Sequence, residues 1–85
     1  MTGMEAYRIL LFGPAREAVG AGATTVELAH PATAGAAIAA LAASHPALAP
    51  LLPHSRVAVN HSYVDAVARL EPGDEIAIIP PVGGG

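Results

Sequence analysis

Read for the alternation of apolar and polar positions, the chain divides into short strands around one alanine-rich helix. Residues 7–12, Tyr-Arg-Ile-Leu-Leu-Phe, form a β-branched and aromatic run closed by Gly13-Pro14. Both alternating sets of that run are mostly apolar, which predicts a strand buried on both sides. Residues 14–19 fit a short helix with Pro14 in its first turn, stopped by Gly20 and Gly22. Thr24-Thr25-Val26-Glu27-Leu28 alternates and predicts a second strand, Val26 and Leu28 inward, returning towards the first.

Thr33 is placed to cap the main helix, which runs to about Ser44 and stops before Pro46. Its composition is mostly Ala, so propensity rather than periodicity carries the assignment; Ile38 and Leu41 share one face. Leu48, Leu51 and Leu52, interleaved with prolines, predict an irregular segment tucking leucines under the sheet edge. Residues 56–60 read as a third strand, and Tyr63-Val64 with Val67-Ala68 as a short fourth. Glu71-Pro72-Gly73-Asp74 has the chemistry of a turn, and residues 75–79 form the last strand before Pro80-Pro81. Strands before and after a single long helix make an α+β layer. The first and last strands are the most apolar and so belong in the middle, side by side and parallel. This is the β-grasp, or ubiquitin-like, arrangement: a mixed sheet of four to five strands against one main helix, with a short helix after the first strand. The domain spans residues 1–79, and residues 80–85 are an extended tail.

That tail, Pro80-Pro81-Val82-Gly83-Gly84-Gly85, carries the candidate chemistry. Two prolines favour an extended backbone that cannot continue a central strand. Three glycines without Cβ atoms can pass through a narrow channel. At roughly 3.3 Å per extended residue, the tail reaches about 20 Å from the domain. A stiff spacer with a slim tip suits delivery of the terminal carboxylate of Gly85 into another protein's active site; the alternative is a frayed end with no role.

Composition removes most other functions. With 85 residues the chain is one small domain. Cys is absent, so there is no disulfide, thiolate metal site or thiol nucleophile. His30, His45, His54 and His61 form no metal motif. Four Arg lie scattered against seven carboxylates, a net charge of −3, which argues against nucleic acid. With no Lys, no side chain accepts an isopeptide bond. The small-apolar run at residues 34–43 is far shorter than the ~20 residues that span a bilayer. The N-terminus has no secretory signal, so a cytoplasmic location is expected.

Three stretches resemble one family. Leu10-Leu11-Phe12-Gly13-Pro14-Ala15-Arg16-Glu17-Ala18-Val19-Gly20 resembles the Leu-Phe-x-x-x-Arg-Glu-x-x-Gly opening of molybdopterin synthase small subunits, the MoaD family. Val57-Ala58-Val59-Asn60 resembles its middle Val-Asn strand. Residues 70–82, containing Gly73-Asp74-Glu75-Ile76-Ala77 and Pro80-Pro81-Val82, resemble its closing motif. The resemblance implies a sulfur carrier that has no catalytic activity alone and binds no cofactor. An E1-like adenylyltransferase would use ATP to adenylate Gly85, and a sulfur donor would convert it to a thiocarboxylate. Pro81, Val82, Gly83 and Gly84 would insert into the large synthase subunit, in a heterotetramer that builds the dithiolene of molybdopterin from a cyclic pyranopterin. Two departures stand out: Gly83 where Ser or Thr is common, and Ile78-Ile79 where an aromatic often sits. The Arg16-Glu17 pair reads as a solvated helix pair, Asp74 and Glu75 as turn and strand-edge residues. A carrier for thiazole or cysteine synthesis, a modifier conjugated to lysines, or a plain interaction module are the alternatives.

Overall fold

The computed structural model describes residues 3–81. Strand β1 (Met4–Leu11) runs into helix α1 (Gly13–Val19), and β2 (Ala23–Ala29) returns antiparallel along β1, from Leu10↔Ala23 to Met4↔Ala29. A short bridge strand β3 (Ala32–Thr33) leads into the main helix α2 (Ala34–Ser44). Two 3₁₀ turns, Pro46–Leu48 and Leu52–His54, precede β4 (Arg56–Val59), β5 (Ser62–Val64), β6 (Arg69–Leu70) and β7 (Ile76–Ile79). The principal sheet has the order β2-β1-β7-β4-β5, with β1 and β7 parallel at its centre. The expected β-grasp architecture is present, including the central pairing of first and last strands. β3 and β6 form a separate two-stranded ladder that the sequence reading did not anticipate.

Local chemistry accounts for the element ends. Gly20 terminates α1 in a left-handed conformation, φ 83°, its N–H donating to the Arg16 carbonyl at 2.8 Å. Thr33 Oγ1 accepts from Ala36 N–H at 3.2 Å, as expected of an N-cap. Helix α2 receives a second cap from far along the chain. The Ala66 and Ala68 carbonyls accept from Gly35 N–H (2.8 Å) and Ala34 N–H (2.9 Å), donors a helix start otherwise leaves unpaired. Gly35 permits that approach, since a Cβ there would lie 3.2 Å from the Ala66 oxygen. The same bonds explain one correction. Val67-Ala68 are not strand, because their backbone turns to reach the helix, leaving Val67 fully in solvent.

The core lies on one side of the sheet. Tyr7, Ile9 and Leu11 of β1, Val26 and Leu28 of β2, and Ile76 and Ile78 of β7 meet Ala34, Ala37 and Leu41 of α2. Leu48, Leu52 and Leu70 close the layer, so the proline-rich segment does fold leucines inward as expected. Ile38 is only half-buried, because small Ala34 and Ala37 form the contact surface and let the helix sit close. Burial of β1 on both sides is the second correction. Arg8 and Phe12 are exposed and Leu10 half-buried, because no layer among the described residues covers the other face of the sheet. Among the described residues no helix is long and apolar enough to cross a membrane.

Candidate functional site

The uncovered face of the sheet and the root of the tail form one surface. Side chains alternate across a strand, so burial of Ile9, Leu11, Ile76 and Ile78 turns Leu10, Phe12, Ala77 and Ile79 outward. Antiparallel pairing adds Ala58 opposite Ala77, and Tyr63 opposite Ala58. Together with His61 and Glu75 these residues line a shallow groove of about 340 Å³ on the open face. Phe12 is 48 % and Tyr63 57 % exposed, values high enough to mark large apolar surface left for a partner. Two of the chain's three aromatic residues thus flank Ile79, at the place where the last strand carries no aromatic of its own.

The parallel register sets Leu11 beside Ile78, so the groove's apolar end coincides with the end of β7. Pro80 is buried and Pro81 exposed, so the chain leaves the domain at Pro81. Val82, Gly83, Gly84 and Gly85, the expected tail and its reactive end, lie outside the described residues. Of the predicted tail, Pro80 and Pro81 are described, and burial of Pro80 assigns it to the domain rather than to the tail.

At the other end of β7 the structure joins three motif residues that sequence reading had treated separately. Asn60 and His61 form a two-residue hairpin between β4 and β5, both with positive φ (52° and 72°), as Val59↔Ser62 pairing requires. Strand β4 therefore stops at Val59, one residue before the expected end. Asn60 Nδ2 donates to Asp74 Oδ1 at 2.9 Å, and Glu75 N–H donates to Asn60 Oδ1 at 3.0 Å. Backbone Asn60 N–H meets the Glu75 carbonyl at 2.8 Å. The second Asp74 oxygen accepts from Glu71 N–H at 2.8 Å and ties down the Glu71–Asp74 turn, in which Gly73 has φ 90°. This clasp fixes where β7 begins. Asp74 is a turn residue, as expected, but Asn60 is its latch rather than a strand residue. Glu75 also lies 3.5 Å from His61 Nε2 on the surface.

The remaining candidates are structural. Arg16 and Glu17 are exposed on α1 and form no ion pair among the described residues, consistent with a solvated helix pair. His45 caps α2, and its Nε2 lies 3.1 Å from Thr24 Oγ1, tying the helix end to β2. Tyr7 is buried, with no partner for its hydroxyl. Burial first, then the nearby Glu5, Glu71 and Asp74 carboxylates, raise its phenol above the ordinary range. Among the described residues no group of three His, Cys, Asp or Glu can hold a metal ion. What the described residues offer on this face is exposed apolar surface that ends at Ile79 and Pro81.

Comparison with known proteins agrees with this geometry. The molybdopterin synthase sulfur carrier subunit of Chlamydomonas reinhardtii is 38% identical over 80 residues, covering 92% of this chain and 96% of that one. Its counterpart in Dictyostelium discoideum is 35% identical over 82 residues, covering 93% and 95%. The crystal structure of Haloferax volcanii small archaeal modifier protein 1 superimposes with a TM-score of 0.83 at 29% identity, covering 92% of this chain and 99% of that one. The ThiS family matches residues 9–85, from the middle of β1 through the glycines. The chain belongs to the ThiS family.

Proposed function

We propose that this chain is the sulfur-carrier subunit of molybdopterin synthase. The observation that carries the reading is the continuity of the open apolar face with the root of a Pro-Pro-Val-Gly-Gly-Gly tail, in a chain without Cys. Relatives bearing the sulfur-carrier name match it over nearly their full length. The face docks on a partner, Pro80 and Pro81 aim the chain, and the glycines thread. An E1-like adenylyltransferase and the large synthase subunit are the partners to which the same face is offered in turn.

The chemistry follows from what a carboxylate lacks. As an anion it is a poor electrophile, so a Gly85 oxygen first attacks the α-phosphorus of ATP and pyrophosphate leaves. Hydrosulfide, the sulfur at sulfide level, then attacks the acyl-adenylate carbon, and AMP and a proton depart. The resulting thiocarboxylate carries an ionised sulfur at neutral pH, without a Cys in the carrier. In the large subunit that sulfur attacks a carbon of the cyclic pyranopterin precursor and forms a C–S bond, while the C–O bond at that carbon breaks and its oxygen substituent leaves. Water then cleaves the acyl–sulfur bond and regenerates the Gly85 carboxylate. The carrier supplies no acid or base to these steps; it supplies position.

Intact mass spectrometry tests this directly. After incubation with the cognate E1-like enzyme, ATP and a sulfur source, the mass should rise by the difference between sulfur and oxygen. No change with an enzyme shown to be active on another carrier would refute the reading. Likeness to an archaeal modifier protein favours a second reading, conjugation to lysines of other proteins. In that case the same mixture supplemented with cell extract would yield isopeptide-linked adducts instead of a stable thiocarboxylate.

A further inference from the structure

One charged residue on the docking face rests on an aromatic ring and has no hydrogen-bond or ion-pair partner for its side chain among the described residues. Arg56 opens β4 and pairs in register with Ile79, the last residue of β7, beside the point where the tail departs. Its guanidinium carbon lies 4.1 Å from the centroid of the Tyr63 ring. At that distance the ring attracts the guanidinium without using its N–H donors in a hydrogen bond. Among the described residues Arg56 makes no side-chain hydrogen bond and no ion pair. Asp65 follows β5 on the neighbouring edge but makes no ion pair with it. Glu75, the groove's own carboxylate, sits at the opposite end of β7, against His61. Around the tail's root the neighbours Phe12, Ile79, Pro80 and Pro81 are all uncharged.

We propose that Arg56 is the charged anchor of this interface and receives a carboxylate side chain of the large subunit at the root of the tail; the proposal rests on the function argued above. Three physical points support it. An arginine already parked on an aromatic ring gives up little rotamer freedom when its edge is engaged. Its planar fork suits bidentate pairing with a carboxylate. The apolar residues beside it exclude water on docking, which makes a matched charge count and a missing one costly. Tyr63 thus acts twice, as apolar surface and as the platform that orients the arginine. The anchor lies next to Ile79, the last residue of β7, so it sets where the end of that strand is held as well as the strength of the contact.

The test is affinity for the molybdopterin synthase large subunit encoded in the same genome, measured calorimetrically at low and high salt. The variants are Arg56→Lys, Arg56→Gln and Arg56→Glu, with melting temperature as the check on folding. The expected result at low salt is a loss on the order of tenfold for Arg56→Gln and a larger one for Arg56→Glu. Arg56→Lys should recover only part of it, since an ammonium lacks the fork. The Gln variant should also lose part of the parent's salt dependence. Binding of Arg56→Gln at parental affinity, with parental salt dependence, overturns the anchor and leaves the proposed function standing. Failure of the unaltered chain to bind the large subunit overturns the function, and the anchor with it.

Discussion

Replacing Asn60 with Ala tests whether the clasp sets the start of β7. The substitution removes two side-chain hydrogen bonds, to Asp74 Oδ1 and from Glu75 N–H. Each contributes about 0.5–1.5 kcal/mol, and exposure puts both near the lower end. It also leaves a Cβ-bearing residue at φ 52° without the local hydrogen bonding that lets Asn tolerate the left-handed region, adding about 1 kcal/mol. The sum is about 2 kcal/mol, a lowering of the melting temperature by roughly 8–16 °C for a domain of this size. Asn60→Gly restores the backbone freedom but not the bonds, so it should cost about half as much. Asn60→Asp sets two carboxylates against each other and should lose stability at neutral pH that partly returns on acidification. Denaturant melts of the three variants give the ordering, and hydrogen exchange at Ile76 and Ala77 reports whether the loosening reaches the strand that leads to the tail. Asn60→Ala within about 0.5 kcal/mol of the parent, or Asn60→Gly costing more than Asn60→Ala, would refute the account.

Tyr7→Phe should stabilise the fold at neutral pH by about 1 kcal/mol, because the lost hydroxyl is buried without a partner. Above pH ~10 the unfolded phenol loses its proton while the folded one, raised by burial, keeps it; the unfolded state then binds fewer protons and stability falls with rising pH. That alkaline decline should be smaller in the Phe variant, and equal slopes in urea melts across this range would contradict it. Phe12→Asp, at a half-exposed site, should leave the melting temperature nearly unchanged yet weaken association with the large subunit at least tenfold, on the scale of an interface hot spot. Gly84→Val lies beyond β7 in the sequence and should alter stability by less than about 0.5 kcal/mol. Sulfur transfer should drop by an order of magnitude or more, since misplacing a reactive atom by about 1 Å can cost 10²-fold. Transfer at the parental rate would show that the tail is not threaded through a tight channel.

Legibility in the sequence followed the range of the interaction concerned. The Thr33 cap, the Pro-Gly turn and the strands marked by apolar runs rest on neighbours a few residues apart, and all are present, with strand ends shifted by one to three residues and Val67-Ala68 left out. The parallel pairing of the first and last strands follows from their shared apolarity, a global argument that succeeded; its register, Ile9 beside Ile76, was not legible. Which face of β1 stays open was not legible, because Leu10 and Leu11 are equally apolar and only the layer on one side distinguishes them. Asn60 was noticed as part of a motif, yet its role depends on Asp74, fourteen positions later. Arg56 and Tyr63 carry no signal of their own; strand register alone brings them together. The tail's glycines were legible as composition, and their use rests on chemistry rather than on contacts.

The position of β7 has a consequence for how such a carrier comes into being. β7, made after β1, β2, β4 and β5, is the strand that joins the two halves of the sheet, β1 and β2 on one side and β4 and β5 on the other. Until residues 76–79 are available, neither half can pair across the centre, and Ile76 and Ile78 are missing from the core. A chain interrupted before that point is left with two detached hairpins, neither of which is stable alone in water. Proteolysis favours unfolded chains, so fragments halted upstream should be cleared rather than persist as partner-blocking decoys. Folding of the sheet therefore waits on residues 76–79, the strand from which the chain runs on to Pro80 and Pro81.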